Sequence, residues 1–292
     1  MFKKILLPLD GSENAEAAIP WVRIYGGPSK AEVVLLRVVE ERSIGNGPSA
    51  KEERAEAEEY LQGIHRELNF RGIPAKTVVV SGTAALSILE VAEEEKCDLI
   101  LMTTRGASKV SRWRLGGVTQ QLMRLSPIPV MVVRSQTPLK RQGRVQRVIV
   151  PLDGSKLSKS ILPLAERLAR AHKARLILLH VAPPSLDPMA VREYEAFRKK
   201  MIPYCASVRE RGVKVFFRRA YGDPAAQIVE AAEPGDILAM TTHGYGGFKR
   251  WIFGSVAEKI IQESDVPIFI YKGIPTPRVV WPAMSDVYPG PM

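Results

Sequence analysis

The chain has 292 residues, 46% apolar and 25% charged, and its 42 Lys and Arg against 31 Asp and Glu leave a net charge of +11. Those proportions exclude wholesale disorder and suggest one large domain or two of about 140 residues. No apolar run reaches the ~18 residues of a membrane span, the start MFKKILLPLDGS is not a signal peptide, and two cysteines without metal spacing (Cys97, Cys205) make no disulfide framework, so a soluble protein of a reducing cytoplasm is expected.

In chain order, short runs rich in Val, Ile and Leu at 3–9, 32–39, 75–80, 98–103 and 129–133 read as strands. They are largely unbroken, as strands buried on both faces of a parallel sheet are. Helical stretches lie between them at 13–26, 51–70, 84–95 and 117–125. Ser12 is an N-cap candidate, with Glu13 in the first turn, and Gly72 is placed to end the third helical stretch. Glu52, Glu53, Glu56, Glu58 and Glu59 read as a solvated helix face.

The pattern then repeats. ILLPLDGS (5–12) returns as VIVPLDGS (148–155), and VLLRV (34–38) as ILLHV (177–181). CDLILMTTRG (97–106) returns as GDILAMTTHG (235–244), Trp113 and Gly116 as Trp251 and Gly254, and PVMVV (129–133) as PIFIY (267–271), with an offset drifting only from 143 to 138. A tandem duplication follows: an α/β domain over 1–136, a linker at 137–144, a second domain over 145–272 and a proline-rich tail at 273–292. The fold class expected is two open, parallel, five-stranded sheets, Rossmann-like or flavodoxin-like, with helices on both faces. Split at Gly143, the charge is +3 before and +8 after. No basic run is long and no aromatic–basic signature accompanies it, so nucleic acid is not indicated and a solvated surface suffices.

In such sheets a ligand crevice opens beyond the C-terminal strand ends at the switch point. Asp10 and Asp153 fall there after the first strand of each copy, and glycine-containing loops fall there after the fourth, starting near Thr103 and Thr241. The second loop reads TTHGYGGFKRWIFGSV (241–256), in which Gly244, Gly246, Gly247 and Gly254 permit turning and close approach, and Lys249 and Arg250 add charge. Gly254-Ser255 then open a helix, setting amides, a dipole end and a hydroxyl at an anion site, while Asp153 offers a carboxylate for ribose hydroxyls. A tight strand-to-helix turn with no ligand is the alternative. No Walker-A motif and no G-x-G-x-x-G in a first βα turn is present.

The PLDGS first strands, the TTHG-x9-GS loop and the PVMVV-type last strand resemble the universal stress protein family over about 1–135 and 145–272. The family's nucleotide-binding members carry G-x2-G-x9-G-S/T. Gly244, Gly254 and Ser255 fit it in the second copy and Gly106 and Gly116 in the first. Thr241 and Thr103 stand at the first glycine, and Gly117 at the hydroxyl residue. The resemblance implies ATP binding, with or without Mg²⁺, an Asp at the ribose, and dimer contacts through the last strands. The candidate binding residues are Pro151, Asp153, Val181, Thr241, His243, Gly244, Gly247, Gly254, Ser255 and Val256 in the second copy, and Asp10, Val38, Gly106 and Gly116 in the first.

Losing a hydroxyl that bonds a phosphate costs about 1.5–3 kcal/mol, roughly ten- to hundredfold in affinity. The second copy is therefore expected to hold nucleotide better, with the Gly117 amide and the Thr119 hydroxyl as partial substitutes in the first. His243 faces Arg105 across the copies and reads as loop packing or a phosphate contact; Trp113 and Trp251 read as packing the loops on a neighbouring domain. His65, His172 and His180 read as surface or core residues and Cys97 as an apolar filler. No catalytic group and no metal site is identifiable, and ATP hydrolysis, if any, would be slow. The two copies are expected to pair through their last strands, leaving a homodimer and an unidentified protein partner open. The rivals are a nucleotide-free interaction protein and a phosphotransfer or hydrolytic enzyme of related fold. The tail, with Trp281 and Tyr288, reads as a flexible end or a clasp.

Overall fold

A computed structural model describes residues 2–26, 30–40, 49–104, 115–137, 144–182, 188–242 and 254–272. The first half runs β1 (Lys4–Pro8), α1 (Glu13–Glu16), α2 (Ile19–Gly26), β2 (Glu32–Val39), α3 (Ala50–Phe70), β3 (Ala75–Ser81), α4 (Ala84–Glu94), β4 (Leu99–Thr103), α5 (Gly117–Leu125) and β5 (Val130–Val133). The second repeats it as β6 (Arg147–Pro151), α6 (Lys156–Lys159), α7 (Leu162–His172), β7 (Arg175–Ala182), α8 (Pro188–Glu210), β8 (Val215–Tyr221), α9 (Pro224–Glu230), β9 (Asp236–Thr241), α10 (Ser255–Glu263) and β10 (Ile268–Tyr271).

The strands sit where the apolar runs place them, because each must be covered on both faces: Ile5, Leu6 and Leu7 of β1 are all fully buried. The single helix expected over 13–26 is two, α1 and α2, since the chain turns at Ala17–Ala18. Caps fix the helix starts. Ser12 and Ser155 accept from the amides of Ala15 and Ser158 at 3.2 and 3.0 Å. Ser49 and Glu52 form a reciprocal capping box, which starts α3 just before the stretch expected at 51. Gly72, at φ +73°, ends it in the left-handed region.

Each half orders its strands 3-2-1-4-5, the Rossmann order without its sixth strand rather than that of flavodoxin. The two five-stranded parallel sheets expected of the duplication are both present, and they are joined. β5 and β10 pair antiparallel, Ile268 opposite Val132, Phe269 opposite Met131 and Ile270 opposite Val130, so the two parallel sheets are one ten-stranded sheet. The pairing of the last strands expected from the duplication is thus present within the chain. Each of those strands would otherwise end its sheet as an edge with unpaired amides and carbonyls.

Side chains reinforce the seam. Phe269, fully buried, lies 6.0 Å ring to ring from Phe2 of the other half, and Arg134 donates to Asp265 Oδ1 at 3.2 Å. On the face carrying α1–α3 and α6–α8 one apolar core spans both halves, and on the face carrying α4, α5, α9 and α10 a second core does the same. On the first face Tyr25 of α2 meets the edge of His172 of α7 at 6.0 Å. The Tyr25 hydroxyl and His172 Nε2 are buried without a hydrogen-bond partner among the described residues. Burial lowers the His172 pKa to about 4 and pushes the Tyr25 phenol well above its ordinary range.

Two expectations follow. Phe269→Ala should cost about 3–5 kcal/mol in denaturant unfolding, because it empties a fully buried site in the core that spans the seam on the face carrying α1–α3 and α6–α8. His172 titrates below its unfolded value of 6.5, so the stability it contributes is present above that pH and is lost as the pH falls toward about 4. The wild-type chain should lose about 2 kcal/mol between pH 7 and pH 5 that a His172→Gln variant does not lose, read by urea titrations at both pH values.

Candidate functional site

The strand order puts a switch point between β1 and β4 in the first half and between β6 and β9 in the second, each pair being parallel neighbours. At the C-terminal end of β6, Pro151 is half-buried and Leu152 buried, and Asp153 emerges exposed. Gly154 follows at φ +87°, which a residue with a Cβ reaches only with strain, and Asp153 Oδ1 accepts from the Ser155 amide at 2.9 Å. The first half builds the same turn. Asp10 is exposed, Gly11 has φ +79°, and Asp10 Oδ1 accepts from the Ser12 amide at 3.1 Å and the Ser12 hydroxyl at 2.5 Å. Val38 and Val181, half-buried, hold equivalent places near the ends of β2 and β7.

The fourth strand of each half ends on buried threonines, Thr103 in β4 and Thr241 and Thr242 at the end of β9. The loop beyond each is drawn closed where the next helix begins: Gly116 donates its amide to the Thr104 carbonyl at 3.0 Å, and Gly254 to the Thr242 carbonyl at 3.2 Å. Two sequence expectations are corrected here. The Gly254 amide is spent on the loop closure, which leaves the amides of Ser255, Val256 and Ala257 in the first turn of α10. Gly254 and Gly116, with φ of −61° and −64°, sit in extended backbone open to any residue, so their dihedral angles do not demand glycine.

Ser255 and its counterpart Gly117 are both exposed at these helix starts, and a Cβ added at Gly117 would meet nothing within 4 Å. The first half thus has room for the missing hydroxyl. Thr119 does not replace it: the side chain is buried and its Oγ1 donates to the carbonyls of Thr103 and Thr104 at 3.2 and 3.4 Å, pinning the end of β4. Ala257 holds the matching place in α10. Gly106, His243, Gly244 and Gly247 lie outside the described residues, as do Trp113, Trp251, Lys249, Arg250 and the tail.

The structure brings forward Arg37, which sequence reasoning passed over, and gives His180, read from sequence as a surface or core residue, a definite place. A Cβ at Gly11 would lie 3.4 Å from Arg37 Nη1, so that guanidinium rests against the Asp10 turn. His180 stands at the corresponding place, its Nδ1–H donating to the Leu152 carbonyl at 2.8 Å and its ring packed on Tyr194 and Phe197 at 5.6 and 5.3 Å. The signal was in the repeat itself, where VLLRV is answered by ILLHV. Cys97 is buried, and burial pushes its thiol up to about 12, which leaves it an unreactive filler. Among the described residues no group of His, Cys, Asp and Glu could hold a metal ion, and no helix is long and apolar enough to cross a membrane.

Comparison with known proteins agrees with this architecture. A universal stress protein of Methanocaldococcus jannaschii, MJ0577, is 32% identical over 155 residues, covering 46% of this chain and 96% of that protein. A universal stress protein of Mycolicibacterium smegmatis is 24% identical over 286 residues, 92% of this chain and 96% of its own length. The crystal structure of a universal stress protein from Archaeoglobus fulgidus shares the fold across both halves, with a TM-score of 0.73 over 92% of this chain and 98% of that one, at 24% identity. The model of the universal stress protein family matches twice, over residues 1–134 and 144–272, and the chain therefore belongs to that family as a tandem, two-repeat member.

Proposed function

We propose that the chain is a nucleotide-responsive regulator that binds ATP in the crevice of its second half. The observation that carries the reading is the pairing of opposite chemistries at one switch point. The exposed Asp153 carboxylate follows β6, and on the neighbouring strand the closure between Thr242 and Gly254 delivers the first turn of α10 with the exposed Ser255. An acceptor for ribose hydroxyls beside amides and a hydroxyl for phosphate oxygens suits the two ends of a nucleotide. Pro151 and Val181 supply apolar surface at the ends of β6 and its neighbour β7, with Thr241, Val256 and the loop residues His243, Gly244 and Gly247 in the proposed set. Mg²⁺ would enter with the triphosphate. Relatives in the same family support a stress-response role, with occupancy altering shape or partner affinity and no catalytic step required. Residence in the cytoplasm and assembly as a homodimer belong to the same proposal.

The first half supports a second reading for its own crevice, built on Asp10, Val38, Gly106 and Gly116. The empty space at Gly117 and the occupied Thr119 hydroxyl leave it fewer phosphate donors, so it holds ATP weakly or serves as scaffold for a partner.

Mass spectrometry of the small molecules released on denaturing the purified protein should find an adenine nucleotide. In calorimetry Asp153→Ala and Gly254→Asp should abolish or severely weaken the tighter ATP site. Unchanged stoichiometry and affinity in both variants would refute the assignment. Ser255→Gly should weaken that site by roughly ten- to hundredfold, the worth of one hydrogen bond to a charged phosphate.

A further inference from the structure

We infer that the open edge of the second half, β8, is a docking site for an extended acidic segment of a partner protein, which adds to the ten-stranded sheet as a further strand.

The two edges of the sheet, β3 and β8, are built differently. The repeat sets them in one register: Leu36 lies opposite Val78 and Arg37 opposite Val79, while Leu179 lies opposite Arg218 and His180 opposite Arg219. Two arginines thus stand where two valines complete the same fold. On β3 only Ser81 is exposed, Lys76 is paired with Glu95, and Gln62 of α3 donates to Thr77 Oγ1 at 3.3 Å. On β8 Arg218 is exposed, as are Phe216 and Tyr221, at 46% and 54%. Lys214, Arg218 and Arg219 have no acidic partner among the described residues.

The backbone of β8 is open on the same side. In a parallel pair a residue turns its N–H and C=O to one side and the next residue turns both to the other. The Lys214 carbonyl accepts from the Leu176 amide at 2.8 Å, and the Gly222 amide donates to the Ala182 carbonyl at 3.1 Å, so the even positions face β7. The odd positions face outward. Arg209 Nη2 covers the Val215 carbonyl at 3.0 Å. The rest of that row, at Phe217, Arg219 and Tyr221, is a template for another strand.

The side chains select what pairs there. Alternation puts Phe216 and Arg218 on one face of β8 and Arg219 and Tyr221 on the other, so each face joins a cation to an aromatic ring. The Arg219 guanidinium lies over the rings of Tyr194 and Tyr221, 3.9 and 4.5 Å from their centroids, a contact that leaves its N–H donors for a carboxylate. From Phe216 to Tyr221 the complement is apolar-x-acidic-acidic-x-apolar. That pattern reads alike in both directions and suits parallel or antiparallel addition. A second copy does not supply it. β8 against β8 sets arginine against arginine, and β3, AKTVVVS, carries no acid. The charge of +8 after Gly143 favours an acidic partner as well.

The probe is a capped, fluorophore-labelled peptide, Val-Thr-Glu-Glu-Thr-Val, titrated with the full chain and read by anisotropy. It should bind about tenfold or more tightly than Val-Thr-Lys-Lys-Thr-Val, and Arg218→Glu, at an exposed position, should weaken it by about the same factor. Strand addition has its own signatures. Residue-resolved hydrogen exchange should slow at the amides of Phe217, Arg219 and Tyr221 when the peptide binds, while those of Arg218 and Ala220, already bonded to β7, stay protected throughout. N-methylation of one alternate set of peptide amides should abolish binding, and of the other set should not. The inference is overturned if the acidic peptide does not bind at about millimolar concentration, if the lysine peptide binds as well, if Arg218→Glu changes nothing, or if the Phe217, Arg219 and Tyr221 amides stay fast in the complex. Protection of those amides by self-association, or by an oligodeoxythymidylate as readily as by the peptide, assigns the edge to a second copy or to nucleic acid and overturns it too. ATP binding in the second half is measured separately and stands under every one of these results.

Discussion

The antiparallel pairing of β5 with β10 is the constraint on which the rest of the molecule depends. Each half is a parallel sheet whose outer strand on that side, VMVV or IFIY, is too apolar to face water and too rich in unpaired backbone groups to be left open. Joining the two removes both edges at once and buries Phe269 and Met131 completely. It also lets two apolar cores run unbroken across the seam, one on each face. The remaining edges, β3 and β8, are managed differently, by charged side chains, Lys76 on one and Arg218 and Arg219 on the other. A contiguous core is worth more than two separate ones because less apolar surface is left facing water.

Because the seam joins the halves in opposite strand directions, the two crevices cannot merge into one. Each retains its own switch point, its own aspartate turn and its own closed loop into a helix. Duplication then frees each copy to change without disturbing the other. The scaffold parts are kept: the left-handed glycines at 11 and 154, the serine caps at 12 and 155, and the amides that close the loops at 116 and 254. The side chains around that scaffold differ: Gly117 against Ser255, Arg37 against His180, and Tyr60 hydrogen-bonded to Glu16 against the rings of Tyr194 and Phe197.

Much of the fold was legible before any coordinates. Strands buried on both faces must be continuous apolar runs, and a repeat whose matched segments run from the first strand to the last of each copy cannot encode two different folds. The limits of that legibility were local. The split between α1 and α2 and the start of α3 at a capping box depend on hydrogen bonds that apolar periodicity does not record. The aspartates were identified by position in the chain, yet Arg37 was not, because nothing in a linear reading says that a strand residue 26 places after Gly11 leans on it.

The sequence by itself determined the duplication, the α/β class, and which residues lie at the C-terminal ends of the strands, since these follow from pattern and order. Only the tertiary structure decided the direction and register in which the last strands join, that the Gly254 amide and the Thr119 hydroxyl are already engaged, and that His172 is held neutral against Tyr25 at the boundary of the halves. The physical reason is the same in each case. Whether a donor is spent or a side chain is dry depends on which distant groups packing brings beside it, and distance through space is not written in distance along the chain.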